Sequence, residues 1–205
     1  MENEVTNVGF TVDAGLIQRL GYELVGRAET AVSELIKNSY DADATVVDVD
    51  FINAFTQGGS LIISDNGLGM TKQQLINGFM RISSTDKLHN PTSIRFNRTK
   101  AGKKGIGRFA LDRIGDICAM YTKNNSFDDI IEWKVDWRNF NREDKLTDIT
   151  AEINYMANKE LSSVISGVKN KEVVKLVKEN FVNTGTIFKI ENLREEWSLD
   201  LVESI

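Results

Sequence analysis

The sequence predicts an α+β fold: a two-layer α/β sandwich with helices on one face of a mixed, mostly antiparallel sheet. Three observations predict it. From Asp13 to about Ala42, apolar residues recur at helical spacing, beginning with Leu16, Ile17, Leu20 and Leu24. After this stretch come short apolar runs of strand length, bounded by turn residues. Helices come first and only a few are inserted among the strands, an order that argues for a two-layer sandwich.

Gly26 divides the first segment into two helices. The second runs from about Arg27 to Tyr40, with Ala28, Ala31, Val32, Leu35 and Ile36 on its apolar face. Thr45 to Phe51 alternates valines with Asp48 and Asp50 and reads as a strand. Gln57-Gly58-Gly59 is a turn, Leu61 to Ser64 a buried strand, and Thr71 caps a helix reaching about Met80. Residues 83–104 lack apolar periodicity, hold the chain's only proline, Pro91, and read as a long loop, functional or disordered. Gly105 to Ile114 reads as a helix entered from glycines. Ile117 to Tyr121, Ile130 to Val135, Ile153 to Met156 and Thr186 to Ile190 are strands, and Lys171 to Asn180 is an amphipathic helix.

With 205 residues the chain can bury one sizeable core. Its 41% hydrophobic and 27% charged residues are ordinary for a soluble protein. No apolar run of membrane-spanning length occurs, and the acidic N-terminus has no signal-peptide core. Cys118 is the lone cysteine, sits in an apolar run and reads as a buried small hydrophobe; a reducing, cytoplasmic setting follows. The lone histidine, His89, excludes a histidine-rich metal site, and with Cys118 the only other soft ligand the composition argues against structural zinc. The net charge of −5 gives a general nucleic-acid surface no support. One acid-free stretch is nevertheless basic, through Lys87, Arg95, Arg98, Lys100, Lys103, Lys104 and Arg108, and points to a local anion. Within it, Lys87, Arg108 and one of Lys103 or Lys104 are read as phosphate contacts. Arg95, Arg98 and Lys100 are read as exposed.

Four motifs carry chemistry. Glu34 and Asn38 lie four apart, so they share a helix face one turn apart. The Asn38 amide oxygen can ligate Mg²⁺, and Glu34 can polarise a water for attack on a γ-phosphate. Taken alone, this spacing is most often a solvated helix face. Asp65-Asn66-Gly67-Leu68-Gly69-Met70 follows the strand LIIS. Its carboxylate can accept the exocyclic amine of adenine, where guanine presents a carbonyl; the glycines let backbone approach the base, and Met70 can line an apolar slot. Alone it is equally a common turn. Gly102-Lys103-Lys104-Gly105-Ile106-Gly107-Arg108 leads into a helix, whose free N–H groups and dipole favour an anion. The P-loop and dinucleotide patterns are both absent. Finally, Thr184-Gly185-Thr186 opens the last strand, where the Thr186 hydroxyl can join Asp65.

In this order the motifs resemble the GHKL superfamily: gyrase B, the ninety-kilodalton heat-shock chaperone, histidine kinases and MutL. ELIKNSYDADAT is similar to its N-box, DNGLGM to its G1 box and GKKGIGRFA to its G2 box, with the closing Gly-Thr in TGTIFKI. The resemblance covers roughly residues 10–192 and is nearest to MutL, MORC and chaperone-like ATPases. It implies the Bergerat fold, with residues 83–104 as an ATP lid, and ATP and Mg²⁺ as ligands. Glu34 would be the general base and Asn38 the magnesium ligand. Asp65 would read adenine with Thr186. Gly67, Gly69 and Met70 would line the base pocket, and Asp41 would support the site. Lys87, Lys104, Gly105, Ile106, Gly107, Arg108 and Phe109 would complete the nucleotide-binding set around the phosphates.

Implied partners are ATP and ADP, an ATP-dependent homodimer, and a downstream domain of the same protein; no membrane is involved, and the MutL likeness leaves a nucleic-acid role open. The chain ends soon after its expected last strand, so residues 1–205 read as one ATP-binding domain, the N-terminal part of a longer protein. The alternatives are a histidine-kinase-like phosphotransfer domain and a nucleotide-binding module without turnover. Asp41-Ala42 after Asn38 favours the ATPase reading, as does the placement of His89 in a loop.

Overall fold

Gly26, at φ 69°, interrupts the N-terminal helical segment where its sequence predicts a break. Helix α1 (Gly15–Leu20) runs into a π-helical turn (Gly21–Val25), and helix α2 (Ala28–Asp41) follows. The computed structural model describes residues 9–81, 90–102, 110–126, 128–139, 143–157, 159–165, 175 and 184–205. The predicted helix 171–180 lies outside them apart from the helical Lys175. Among the described residues no helix is long and apolar enough to cross a membrane.

Six strands form one sheet: β1 (Val47–Ile52), β2 (Ser60–Asp65), β3 (Gly115–Lys123), β4 (Ile130–Asp136), β5 (Glu152–Met156) and β6 (Gly185–Leu193). Their spatial order is β1-β2-β6-β3-β4-β5. Every pairing between them is antiparallel. The last strand in sequence thus enters the middle of the sheet, between two strands that lie much earlier in the chain.

Alternation along the strands decides the layers. Leu61, Ile63, Cys118, Met120, Ile131, Trp133, Phe188 and Ile190 point to one face. There they pack against Ile17 of α1, Ala28, Ala31, Val32 and Leu35 of α2, and Leu111 and Ile114 of α4 (Ala110–Ile114). Cys118 is wholly buried in this core, a small hydrophobe as its sequence context predicts. The opposite face carries a smaller cluster in which Ile62, Ile130 and Ile187 meet Leu161 and Ile165 of a short 3₁₀ segment. Strand β2 is therefore buried on both faces, which explains its unbroken apolar run.

The predicted cap at Thr71 is a full capping box with Gln74, opening α3 (Lys72–Gln74), which continues as a π-helical turn to Phe79. A last helix, α5 (Leu199–Glu203), is capped by Ser198. Just before it Trp197 is buried in the main core, its ring 4.7 Å from that of Phe51. Neither α5 nor the 3₁₀ segment is among the elements the sequence predicts. Both are too short to show a period, and their burial depends on what they pack against.

Candidate functional site

Helix α2 puts four apolar residues and one polar residue, Ser39, on its buried stripe. Ser39 follows Leu35 by four positions, so it continues the core face at the C-terminal end of the helix. Its hydroxyl donates to Asp65 Oδ2 at 2.9 Å. Glu34 and Asn38, both half-buried, lie one turn apart beside that stripe. Glu34 Oε1 accepts from Lys37 Nζ at 2.8 Å.

Asp65 ends strand β2 and is almost wholly buried. Burial pushes its carboxyl up to about 6, against hydrogen bonds from the Gly67 N–H, the Ser39 hydroxyl and the Thr186 backbone. The Gly67 bond, 2.9 Å to Oδ1, closes a tight turn directly after the strand. In the sheet Asp65 is level with Thr186 on β6, which is level with Thr122 on β3. Cross-strand neighbours share a face, so the carboxylate and two hydroxyls form one row on the helix side. The two threonine oxygens are 3.2 Å apart. Thr122 Oγ1 also accepts the Met70 N–H at 2.8 Å, which fixes the DNGLGM loop to the sheet. Met70 packs, half-buried, against the main core.

The glycines of this loop answer an internal demand. A Cβ on Gly69, at φ 63°, would lie 1.9 Å from the Lys123 carbonyl oxygen. One on Gly67 would lie 2.7 Å from the Ala42 carbonyl and 2.9 Å from Asp65 Oδ1. Where the sequence suggested that glycine admits a base, the chain's own backbone already requires it.

The C-terminal end of α2 grips the loop that follows Asn90. Asp41 accepts the N–H groups of Ala101 at 2.7 Å and Gly102 at 3.2 Å. Asp43, fully buried at φ 63°, accepts from the Ser93 hydroxyl and from the Arg95 and Phe96 N–H groups. Burial raises its carboxyl, but these bonds and the nearby Arg98 charge outweigh it and hold the group below its ordinary range. Arg98, expected to be exposed, is instead half-buried and donates to the Ala44 carbonyl at 2.7 Å. Lys100 is half-buried too, whereas Arg95 is exposed as expected.

The structure thus brings Asp65, Gly67, Gly69, Met70 and Thr186 together around the ends of β2 and β6, with α2 alongside. Lys87, Lys103, Lys104, Gly105, Ile106, Gly107, Arg108 and Phe109 lie outside the described residues, as does His89. Sequence reasoning missed Ser39, Asp43 and Thr122. Only Ser39 left a signal, as a polar residue four positions after a core leucine on a helix. The partners of Asp43 and Thr122 are about fifty residues or more away, beyond the reach of local pattern. A cavity of about 400 Å³ lined by Lys134, Asp136, Asp144 and Asp148 includes none of these site residues.

The model of the family described as "Histidine kinase-, DNA gyrase B-, and HSP90-like ATPase" matches residues 26–177. Among similar proteins, the DNA mismatch repair protein MutL of Lactobacillus helveticus is 38% identical over 95 residues, 46% of this chain and 14% of that protein. MutL of Pasteurella multocida is 40% identical over 81 residues, 36% of this chain and 12% of that protein. A putative type II restriction enzyme, HgiDII of Herpetosiphon aurantiacus, is 32% identical over 89 residues, 43% of this chain and 14% of that protein. The matches therefore span about one-seventh or less of the length of these relatives. With three-quarters of its length matched by the family model, this chain belongs to the histidine kinase-, DNA gyrase B- and HSP90-like ATPase family.

Proposed function

We propose that this chain is one ATP-binding domain of a longer protein, and that it hydrolyses ATP with Mg²⁺ to drive lid closure and dimerisation. The observation that carries the reading is the state of Asp65. An ionised carboxylate offers about four acceptor positions. The Gly67 N–H takes one on Oδ1 and the Ser39 hydroxyl one on Oδ2, which leaves room for an outside donor. The exocyclic amine of adenine supplies such a donor, and the guanine carbonyl does not. Thr186, level with Asp65 on the next strand, joins it at the same edge.

On this reading Asn38 holds Mg²⁺ through its amide oxygen. Among the described residues no group of three acidic, histidine or cysteine side chains could cage a metal. That fits an ion bound by few protein ligands together with phosphates and water. Bound Mg²⁺ would neutralise charge developing on the phosphates. Glu34, one turn before Asn38, orients and deprotonates the attacking water once Lys37 gives up its hold. Lys87, Lys104 and the backbone of Gly105, Ile106, Gly107 and Arg108 complete the phosphate side, and Phe109 belongs to the same nucleotide-binding set. Asp41 anchors the loop at Ala101 and Gly102. A lid that closes around the phosphates makes the ATP and ADP states differ, which is what a dimerisation switch needs.

Titration calorimetry with ATP, ADP and GTP, with and without Mg²⁺, tests this. Magnesium-dependent ATP binding that excludes GTP is expected. Equal affinity for GTP would remove Asp65 as the adenine reader.

A further inference from the structure

Asp43 lies just beyond the end of α2, inside the ELIKNSYDADAT stretch but without an assigned role in nucleotide binding. It is fully buried and sits at φ 63°, a conformation that side chains other than Asn and Asp rarely adopt. Its carboxylate serves residues fifty positions downstream. Oδ1 accepts the Ser93 hydroxyl at 2.5 Å and the Phe96 N–H at 3.2 Å; Oδ2 accepts the Arg95 N–H at 2.6 Å. Two successive N–H groups and a hydroxyl thus close around one anion, as backbone nests do.

The segment around this anion is itself closed. Ser93 N–H donates to the Arg98 carbonyl at 2.9 Å, Lys100 N–H to the Pro91 carbonyl at 2.9 Å, and Thr92 bridges Thr99. The Arg98 N–H reaches the Ser93 hydroxyl oxygen at 2.9 Å. The Arg98 guanidinium lies 4.8 Å from the Tyr40 ring and 4.7 Å from the Phe96 ring, and it donates to the Ala44 carbonyl. Residues 91–100 therefore form a small hairpin whose turn is wrapped around Asp43, with Arg98 clamped over the end of α2. Immediately beyond it, Asp41 takes the Ala101 and Gly102 N–H groups.

We infer that Asp43 is a positioning residue for nucleotide binding: its carboxylate locks the 91–100 hairpin to the helix carrying Glu34 and Asn38. Ala101 and Gly102, whose N–H groups Asp41 accepts, then follow from a fixed point on that helix. Without the lock, ATP must order the segment itself and binds more weakly. This inference rests on the ATP-binding reading above.

Asp43→Gly separates the lock from the backbone conformation, because glycine adopts φ 63° freely but accepts no hydrogen bond. Amide hydrogen exchange without nucleotide should accelerate at residues 93–98 by about tenfold or more. ATP affinity should fall by about tenfold, with KM rising and kcat at saturation little changed. Ser93→Ala, which leaves Asp43 in place, should give the same changes at smaller size. Asp43→Asn, which keeps one acceptor oxygen, should restore part of the affinity. Unchanged exchange in Asp43→Gly would overturn the lock. Accelerated exchange with unchanged ATP affinity would overturn the positioning role. A wild-type chain that binds no ATP would overturn the nucleotide reading and the positioning role together; the exchange result would still report on the lock itself.

Discussion

The Ser39 hydroxyl donates to Asp65 Oδ2 at 2.9 Å, joining the last buried turn of α2 to the end of β2. Both residues are buried, so the bond is made where water does not compete. Ser39→Ala removes one of the donors to a buried carboxylate and should destabilise the fold by about 1–3 kcal/mol. It should also lower ATP affinity, because Asp65 loses the partner that orients it. Denaturant unfolding and calorimetry on the same variant check both effects.

The raised carboxyl of Asp65 makes stability depend on pH in a stated direction. Its folded value, about 6, lies above its ordinary one, so the native state binds the proton more tightly. The contribution of Asp65 to stability is therefore greatest in acid and is lost as pH rises from about 4 to about 6, by on the order of 3 kcal/mol. Urea unfolding from pH 4 to pH 7.5 should show this decline in the wild type relative to Asp65→Asn. ATP affinity runs the other way, falling below about pH 6 as the acceptor is protonated. Affinity that stays flat through this window would count against Asp65 as the adenine acceptor.

Glu34 and Lys37 form an ion pair at 2.8 Å on the helix that carries the proposed base. Glu34→Gln should lower kcat by about 10²–10⁴-fold while ATP affinity holds, since a general base acts only in the chemical step. Lys37→Met should leave ATP affinity close to wild type and change kcat far less. A single-turnover assay separates the two steps, and normal turnover by Glu34→Gln would remove it as the base.

Gly69→Ala tests the loop as structure. The added methyl carbon would meet the Lys123 carbonyl at 1.9 Å, on a backbone at φ 63°. Neither the clash nor the conformation can relax without moving the Asp65–Met70 loop off β3. A loss of about 2 kcal/mol or more is expected, read as a lower denaturant midpoint at unchanged slope.

How far the sequence reaches can be judged residue by residue. The break at Gly26, the capping box at Thr71 and the strands around Leu61–Ser64 and Ile117–Tyr121 were legible. Each is decided by local backbone preference or by apolar period. The DNGLGM set of Asp65, Gly67, Gly69 and Met70 was legible as a turn after a buried strand. The requirement for glycine at Gly69 was not, because it comes from Lys123, far away in the chain.

By itself the sequence determined the fold class, the order of the six strands, and the motifs that resemble an ATPase. Those depend on residue types at fixed spacing, which the chain carries without folding. Tertiary structure alone decided that β6 enters between β2 and β3, which puts Thr186 level with Asp65 and Thr122. It alone turned Ser39 from a helix serine into a carboxylate partner, and Asp43 from a charge in a loop into the buried anchor of a distant hairpin. The reason is physical. A hydrogen bond between residues 26 or 50 positions apart has no signature in local spacing, and it forms only once the apolar faces have brought those segments together.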